Sequence, residues 1–168
     1  MKSNNKMVAL ALVLAALTVG VGFAAITTVN LNISGKAQAT ADASNFKVEF
    51  FGTPTSSDSS KLTVGIDATD KKKATIGVSG LTAKGDTVTA TYTVKNLSAD
   101  LSANLAATVS KNTNTEYFTV EPTVTAANIA AGKDTTVTVK VTLIKTPIEE
   151  DVSSDIAVNI AADPVQPQ

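Results

Sequence analysis

Apolar and small polar residues alternate with a period of two along most of the chain from residue 27 onward. Successive side chains of a β-strand point to opposite faces, so this alternation predicts strands that are buried on one face only. The clearest example is residues 86–95, where apolar residues share one face and threonines share the other. The apolar positions of this segment are Val88, Ala90, Tyr92 and Val94. The pattern predicts an all-β protein.

The same pattern occurs in a series of short segments separated by turn residues about every ten positions. Strands are predicted at residues 27–34, 46–50, 61–68, 73–79, 86–95, 103–109, 116–120, 134–143 and 155–161. The two strands at 61–68 and 73–79 are expected to pair as a hairpin. No segment between strands is long enough for a crossover helix, so we expect an antiparallel two-sheet sandwich of the Ig-like or jelly-roll type.

Three segments lack the strand pattern. Gly52, Pro54 and the serine-rich residues 56–60 predict a loop after the second strand. Residues 126–131 are rich in alanine, but the neighbouring Gly132 favours a loop over a brief helical turn. The C-terminal residues 163–168 have little to bury and are expected to be disordered.

The N-terminus has the composition of an export signal. Residues 1–6 carry two lysines and no acid, and residues 7–25 carry no charge. Such a segment is typical of a signal helix. Small residues in Gly22-Phe23-Ala24 favour cleavage by signal peptidase after Ala24, with Ala25 as the alternative. An uncleaved membrane anchor is the other interpretation, because about 19 apolar residues just span a bilayer.

These observations divide the chain into a signal peptide or anchor at 1–24, a β-sandwich domain at 25–162 and a tail at 163–168. We expect a protein that is secreted and stays outside the cell or at the cell surface. Contact with the membrane is expected only through the N-terminal segment.

The composition excludes much familiar chemistry. The sequence contains no cysteine, histidine, tryptophan or arginine. No Ser-His or Cys-His nucleophile pair can form, and we expect a non-enzyme without a cofactor. Glu149-Glu150-Asp151 and Asp155 could offer oxygen ligands to calcium, but a solvated loop is the commoner explanation of such a patch.

Nucleic acid is not an expected partner. The formal net charge is −1, and aromatic residues make up 4% of the chain, whereas nucleic-acid binding needs a basic face with stacking rings. The lysines at 71–73 follow Asp67 and Asp70, and we interpret them as part of a solvated turn.

Residues 74–109, ATIGVSGLTAKGDTVTATYTVKNLSADLSANLAATV, resemble a stretch of the TasA/camelysin family of secreted fibre-forming proteins. The likeness lies in a strand, a leucine and glycine-aspartate turn, a long strand that ends in asparagine, and a further strand. The apolar leader that runs directly into the first strand is similar to that family's signal peptide. The resemblance implies a structural protein of a bacterial biofilm matrix. The metalloprotease activity described for some members needs zinc-binding histidines, which this sequence lacks.

The first predicted strand, residues 27–34, places Val29, Leu31 and Ile33 on one face, directly after the expected cleavage site. Such a strand can add to the sheet of another subunit, with its alternate side chains filling pockets there. We therefore expect a fibre subunit that binds copies of itself head to tail. The alternatives are that this segment is an ordinary edge strand, and that the protein is a monomeric Ig-like adhesion or ligand-binding module at the cell surface.

Overall fold

The computed structural model describes residues 43–166. A three-residue 3-10 helix at Ala43–Asn45 precedes the strands. The strands are β1 (Val48–Ser56), β2 (Leu62–Ile66), β3 (Ala74–Val78), β4 (Thr87–Asn96), β5 (Ser102–Asn112), β6 (Phe118–Val124), β7 (Asn128–Ile129), β8 (Asp134–Leu143) and β9 (Ile156–Val165). The predicted export signal at 1–24 and the predicted strand at 27–34 lie outside the described residues. Within the described part, no helix has the length and apolar character to cross a membrane.

The described strands form three antiparallel sheets, which confirms the predicted all-β class. One sheet has the order β1-β4-β8-β6, another the order β7-β5-β9, and β2 pairs with β3 as the predicted hairpin. The central pair, β4 and β8, runs without interruption from Thr87 opposite Thr142 to Lys95 opposite Asp134. This uninterrupted ladder follows from the strict alternation of both segments.

One face of the four-stranded sheet supplies most of the core. Its inward side chains pack against the β2-β3 hairpin and β9 in one cluster, and against β5, β7 and β9 in a second. The buried apolar residues of β4 and β8 are Val88, Ala90, Tyr92, Val94, Val137, Val139, Val141 and Leu143. Burial of this apolar face is the main favourable contribution to folding.

The loop predicted at Gly52 and Pro54 is partly wrong, because β1 continues through both residues. The register between β1 and β4 shifts between Phe51 and Thr55, so β1 contains a bulge. Gly52 lies in this bulge with φ of 71°, a left-handed conformation that glycine adopts without strain. An edge strand also tolerates proline, which has no N–H to donate.

The predicted disorder of residues 163–168 is wrong for 163–165, which form the end of β9. Ser102 to Asn104 of β5 pair with these residues. Backbone hydrogen bonds to β5 order this segment. A prediction from composition alone takes no account of such pairing. Pro164 is compatible with the strand because β9 is at the edge of its sheet.

The segment at 126–131, predicted as a loop, contains the two-residue strand β7, which pairs with Ala103 and Asn104 of β5. Ile129 of this strand is buried in the second cluster. One apolar side chain among small residues is a weak strand signal, which explains why the sequence did not predict it.

Asn96 is the largest polar side chain that is fully buried among the described residues. It ends β4, where its Nδ2 donates to the carbonyls of Leu101 (2.8 Å) and Ile129 (3.2 Å). Its Oδ1 accepts the N–H of Ser98 at 3.0 Å. The side chain thus joins the end of β4 to the loop before β5 and to β7, and it links two sheets through three hydrogen bonds.

We expect Asn96→Ala to lower the free energy of unfolding by about 3 kcal/mol, because three backbone groups then lose their partner in the interior. Urea denaturation of the variant measures this loss. The exposed Asn104 of β5 offers a matched control, and Asn104→Ala should change stability by less than about 0.5 kcal/mol. Equal losses in the two variants would show that the buried network does not stabilise the fold.

Tyr92 links the four-stranded sheet to the hairpin. Its hydroxyl donates to the carbonyl oxygen of Thr75 in β3 at 2.7 Å, and its ring lies 5.6 Å from that of Phe50. Burial raises the pKa of the Tyr92 phenol to about 12, because the interior disfavours the phenolate.

In a Tyr117→Phe variant Tyr92 is the only tyrosine, and its phenolate absorbance should appear with a midpoint near pH 12. The unfolded phenol ionises at a pKa of about 10, so the free energy of unfolding should fall as the pH rises from 10 toward 12. Tyr92→Phe should remove this component of the pH dependence. A midpoint at pH 10 would contradict the buried position of the ring.

Candidate functional site: the seam between strands β3 and β9

Two strands of the described region have one edge without a strand partner and lie beside the same cavity. β3 pairs only with β2, and β9 pairs only with β5, among residues 43–166. The free edge of a strand presents backbone N–H and C=O groups that can pair with another strand. We call the space between β3 and β9 the seam.

β2 also pairs only with β3 among the described strands, but it does not line this cavity. The three remaining sheet edges are less suited to accept a strand. β7 has two residues, and β6 contains Pro122, which has no N–H. β1 contains the bulge, and its Phe50 N–H donates to the carbonyl of Lys71 at 2.9 Å. Short strands, proline and bulges are the usual means by which proteins protect sheet edges. β9 also contains a proline, Pro164 near its end, but its first eight residues, 156–163, have neither a proline nor a bulge on their own side.

The seam contains a cavity of about 1000 Å³. Ile76, Gly77 and Val78 of β3 line one side, and Ile156 and Ala157 of β9 line the other. Phe118 and Val141 of the four-stranded sheet also contribute to the lining. Loop residues 79–82 and 151–155 supply much of the remaining lining. The seam therefore has strand residues and adjoining loops as its walls and apolar side chains at its base.

A second cavity of about 330 Å³ lies farther along β9. Ile160 and Ala162 line it from β9, and Val48 and Phe50 line it from β1. Val94 of β4 completes its apolar lining. β9 therefore borders a cavity near its start and another in its second half, and each has apolar side chains of β9 in its lining.

The burial of inward side chains falls along the pair of strands β5 and β9. Ala103 and Leu105 of β5 are 0% and 3% exposed, whereas Ala107 is half-buried and Val109 is 39% exposed. The inward residues of β9 and β3 are only half-buried, although they pack on the same clusters. These residues are Ile76, Val78, Ile156, Val158 and Ile160. The core is thus covered at the start of β5 and incompletely covered along the seam, where Ile160 and Val158 lie opposite Ala107 and Val109 of β5.

Charged groups lie at the borders of the seam. Lys111 contacts Asp155 at 2.8 Å next to the start of β9, and its hydrogen bond and charge hold the pKa of Asp155 below the usual range. At the second cavity, Glu49 pairs with Lys47 at 3.1 Å. The apolar base therefore suits an uncharged extended segment, because a charge placed there would lose its hydration without a partner.

The described residues do not assemble a metal site from the acidic patch. No group of three His, Cys, Asp or Glu side chains in the range 43–166 is close enough to hold an ion. Asp155, one of the candidate calcium ligands, instead bonds to Lys111. The lysines at 71–73 lie in the turn between β2 and β3, where Lys73 pairs with Asp70 at 3.2 Å.

The residues that the sequence nominated for assembly, Val29, Leu31 and Ile33, lie outside the described range. Sequence reasoning identified β3 and β9 as strands but did not identify the seam between them. Alternation reveals which face of a strand is buried, whereas it contains no information about which edge lacks a partner. The partial burial of the inward side chains of β9 can be recognised only once the strands beside it are known.

Comparison of the chain with protein-family models, with curated proteins and with solved structures gave no match to any of them.

Proposed function

We propose that this protein is a non-catalytic structural subunit of an extracellular fibre or biofilm matrix. In this proposal the chain is exported, and residues 27–34 of one subunit enter the seam of the next. The observation that carries the proposal is the seam itself, where two strand edges that no described strand pairs with lie above a half-buried apolar base. The resemblance of residues 74–109 to the TasA/camelysin family supports the same function.

The dimensions of the segment suit the seam. Eight residues in a strand extend over about 26 Å, and the ten residues of β9 extend over about 33 Å. The strand can therefore lie along most of β9. Val29, Leu31 and Ile33 then face the apolar base, and the uncharged Asn30, Asn32 and Ser34 face outward.

The connection between the strand and the domain also permits exchange between subunits. Residues 35–42 link the predicted strand to Ala43, and nine peptide steps from Ser34 span at most about 30 Å. A contact in which one subunit donates and the next accepts is heterologous, so it generates an open filament. Backbone hydrogen bonds would supply affinity, and the alternate side chains would supply specificity.

The sheet arrangement is compatible with this function. We propose that the three described sheets together form the two layers of an Ig-like or jelly-roll sandwich, in which the hairpin and the three-stranded sheet cover the same face of the four-stranded sheet. The two core clusters support this arrangement, because each contains side chains from both proposed layers. The seam then marks the position of a missing strand in the second layer.

A monomeric Ig-like adhesion or ligand-binding module is the second candidate. One observation favours it: Asp151 borders the larger cavity beside the Lys111–Asp155 ion pair, and an uncharged donor strand would offer these charged groups no partner. A charged extended peptide from another protein would pair with these groups.

We expect two complementary variants to separate donor from acceptor. Leu31→Asp should disable the donor strand at 27–34 and leave the seam intact. Ile160→Lys should disable the seam and leave the donor strand intact. Each substitution places a charge at an apolar contact. Neither variant alone should form filaments in negative-stain microscopy. An equimolar mixture should form a one-to-one dimer that does not extend, measured by sedimentation velocity.

Ala161→Lys is the matched control for the acceptor variant, because Ala161 is the exposed neighbour of Ile160 on the opposite face of β9. This control should polymerise like the unaltered chain. If the unaltered chain remains a monomer and binds peptides from other surface proteins, the second candidate replaces the first. Filaments that persist in Leu31→Asp would refute strand donation by residues 27–34.

A further inference from the structure

The outward face of the four-stranded sheet carries threonine at most positions. We call it the threonine face, and its members are Thr55, Thr87, Thr89, Thr91, Thr93, Thr119, Thr123, Thr136, Thr138 and Thr142. The register places four of them directly opposite one another in a row that crosses the whole sheet. This central row consists of Thr55, Thr91, Thr138 and Thr123. It presents a regular surface of methyl and hydroxyl groups.

The hydroxyls of the face are only partly used within the protein. Thr87 and Thr142 bond to each other at 3.0 Å, and Thr136 bonds to Thr125 at 2.7 Å. The hydroxyls of the central row, in contrast, make no hydrogen bond to another described residue. Each of them retains a donor and an acceptor for a group outside the subunit.

The charges on this face neutralise one another. Lys140 pairs with Glu121 at 2.5 Å across β8 and β6. Lys95 lies 4.5 Å from the centroid of the Phe51 ring and is opposite Glu49 and Asp134 in the register. A face without excess charge does not repel an identical face, whereas unpaired lysines are a common means of preventing sheet association.

Covering a threonine side chain also costs little conformational entropy. Its branched side chain has restricted rotation about χ1 in a strand, so ordering it costs less entropy than ordering lysine or glutamate. We propose that the threonine face is a lateral contact between filaments, in which it packs against the same face of a second copy. This inference rests on the proposed function, because it requires subunits that are already joined in a filament.

The size of the face explains why a filament is needed. Four strands about 4.8 Å apart and four rows about 6.8 Å apart give an area of roughly 500 Å². A stable pair of proteins buries about 800 Å² on each partner. One face therefore binds its copy too weakly for a lasting dimer. Repetition along a filament makes the contacts multivalent, so that many weak contacts act together.

The test is a double variant at the two ends of the central row, Thr55→Lys and Thr123→Lys. Both residues are exposed and lie on edge strands, so the substitutions leave the central strands unaltered. Unaltered filaments should associate into bundles in electron micrographs, and filaments of the double variant should remain single with the same subunit repeat. A control pair, Thr108→Lys and Thr115→Lys, lies off the face and should keep the bundles.

A second measurement does not depend on filaments. Beads coated densely with the full exported Leu31→Asp chain, attached through the C-terminus, should cluster through the threonine face alone. Adding Thr55→Lys and Thr123→Lys should abolish the clustering. The lateral contact would be overturned if filaments of the unaltered chain remain single, or if Leu31→Asp beads never cluster. Either result would leave strand donation by residues 27–34 unaffected. Clustering that requires added cell-wall polysaccharide would also overturn it and assign the face to polysaccharide.

Discussion

A β-strand has two edges and two faces, and each must find a partner or water. In this protein β3 and β9 satisfy one edge each, through β2 and β5, and leave the other edge unpaired by the described strands. Their inward side chains pack on a common core but stay half-buried. A strand added along the seam would therefore supply both backbone hydrogen bonds and apolar burial. A segment that alternates apolar and uncharged polar residues meets both requirements at once, and residues 27–34 have that pattern.

Hydrogen bonds within and between the described sheets surround the seam. β4 and β8 form an uninterrupted central ladder, and Asn96 ties the end of β4 to the loop before β5 and to β7. Tyr92 connects the same strand to β3 through the Thr75 carbonyl. The hydrogen bond of Tyr92 thus ties the β3 wall of the seam to the four-stranded sheet. A preorganised acceptor loses little conformational entropy when a strand binds.

The all-β class, the hairpin and most strand positions could be predicted from the sequence, because alternation over ten residues such as 86–95 is a strong local signal. The predictions differed from the structure where pairing with a strand distant in sequence determines the conformation. Asp163 to Val165 are in a strand because β5 offers them partners, and β1 passes Pro54 because its register shifts there. The seam itself depends on which strands are neighbours, and local patterns do not encode that relation. Asn96 was visible as the end of a strand, but its three partners are distributed over residues 98–129.

The long ladder between β5 and β9 has a mechanical consequence. β9 pairs with β5 from Ile156 opposite Asn112 to Val165 opposite Ser102. If a strand from a neighbour lies along the other edge of β9, tension between subunits loads this ladder parallel to its strands. Its hydrogen bonds then bear the load together, instead of opening one after another as they do when a strand is peeled from its end. In such an assembly, shear loading would give β9, an edge strand of the single chain, high tensile strength.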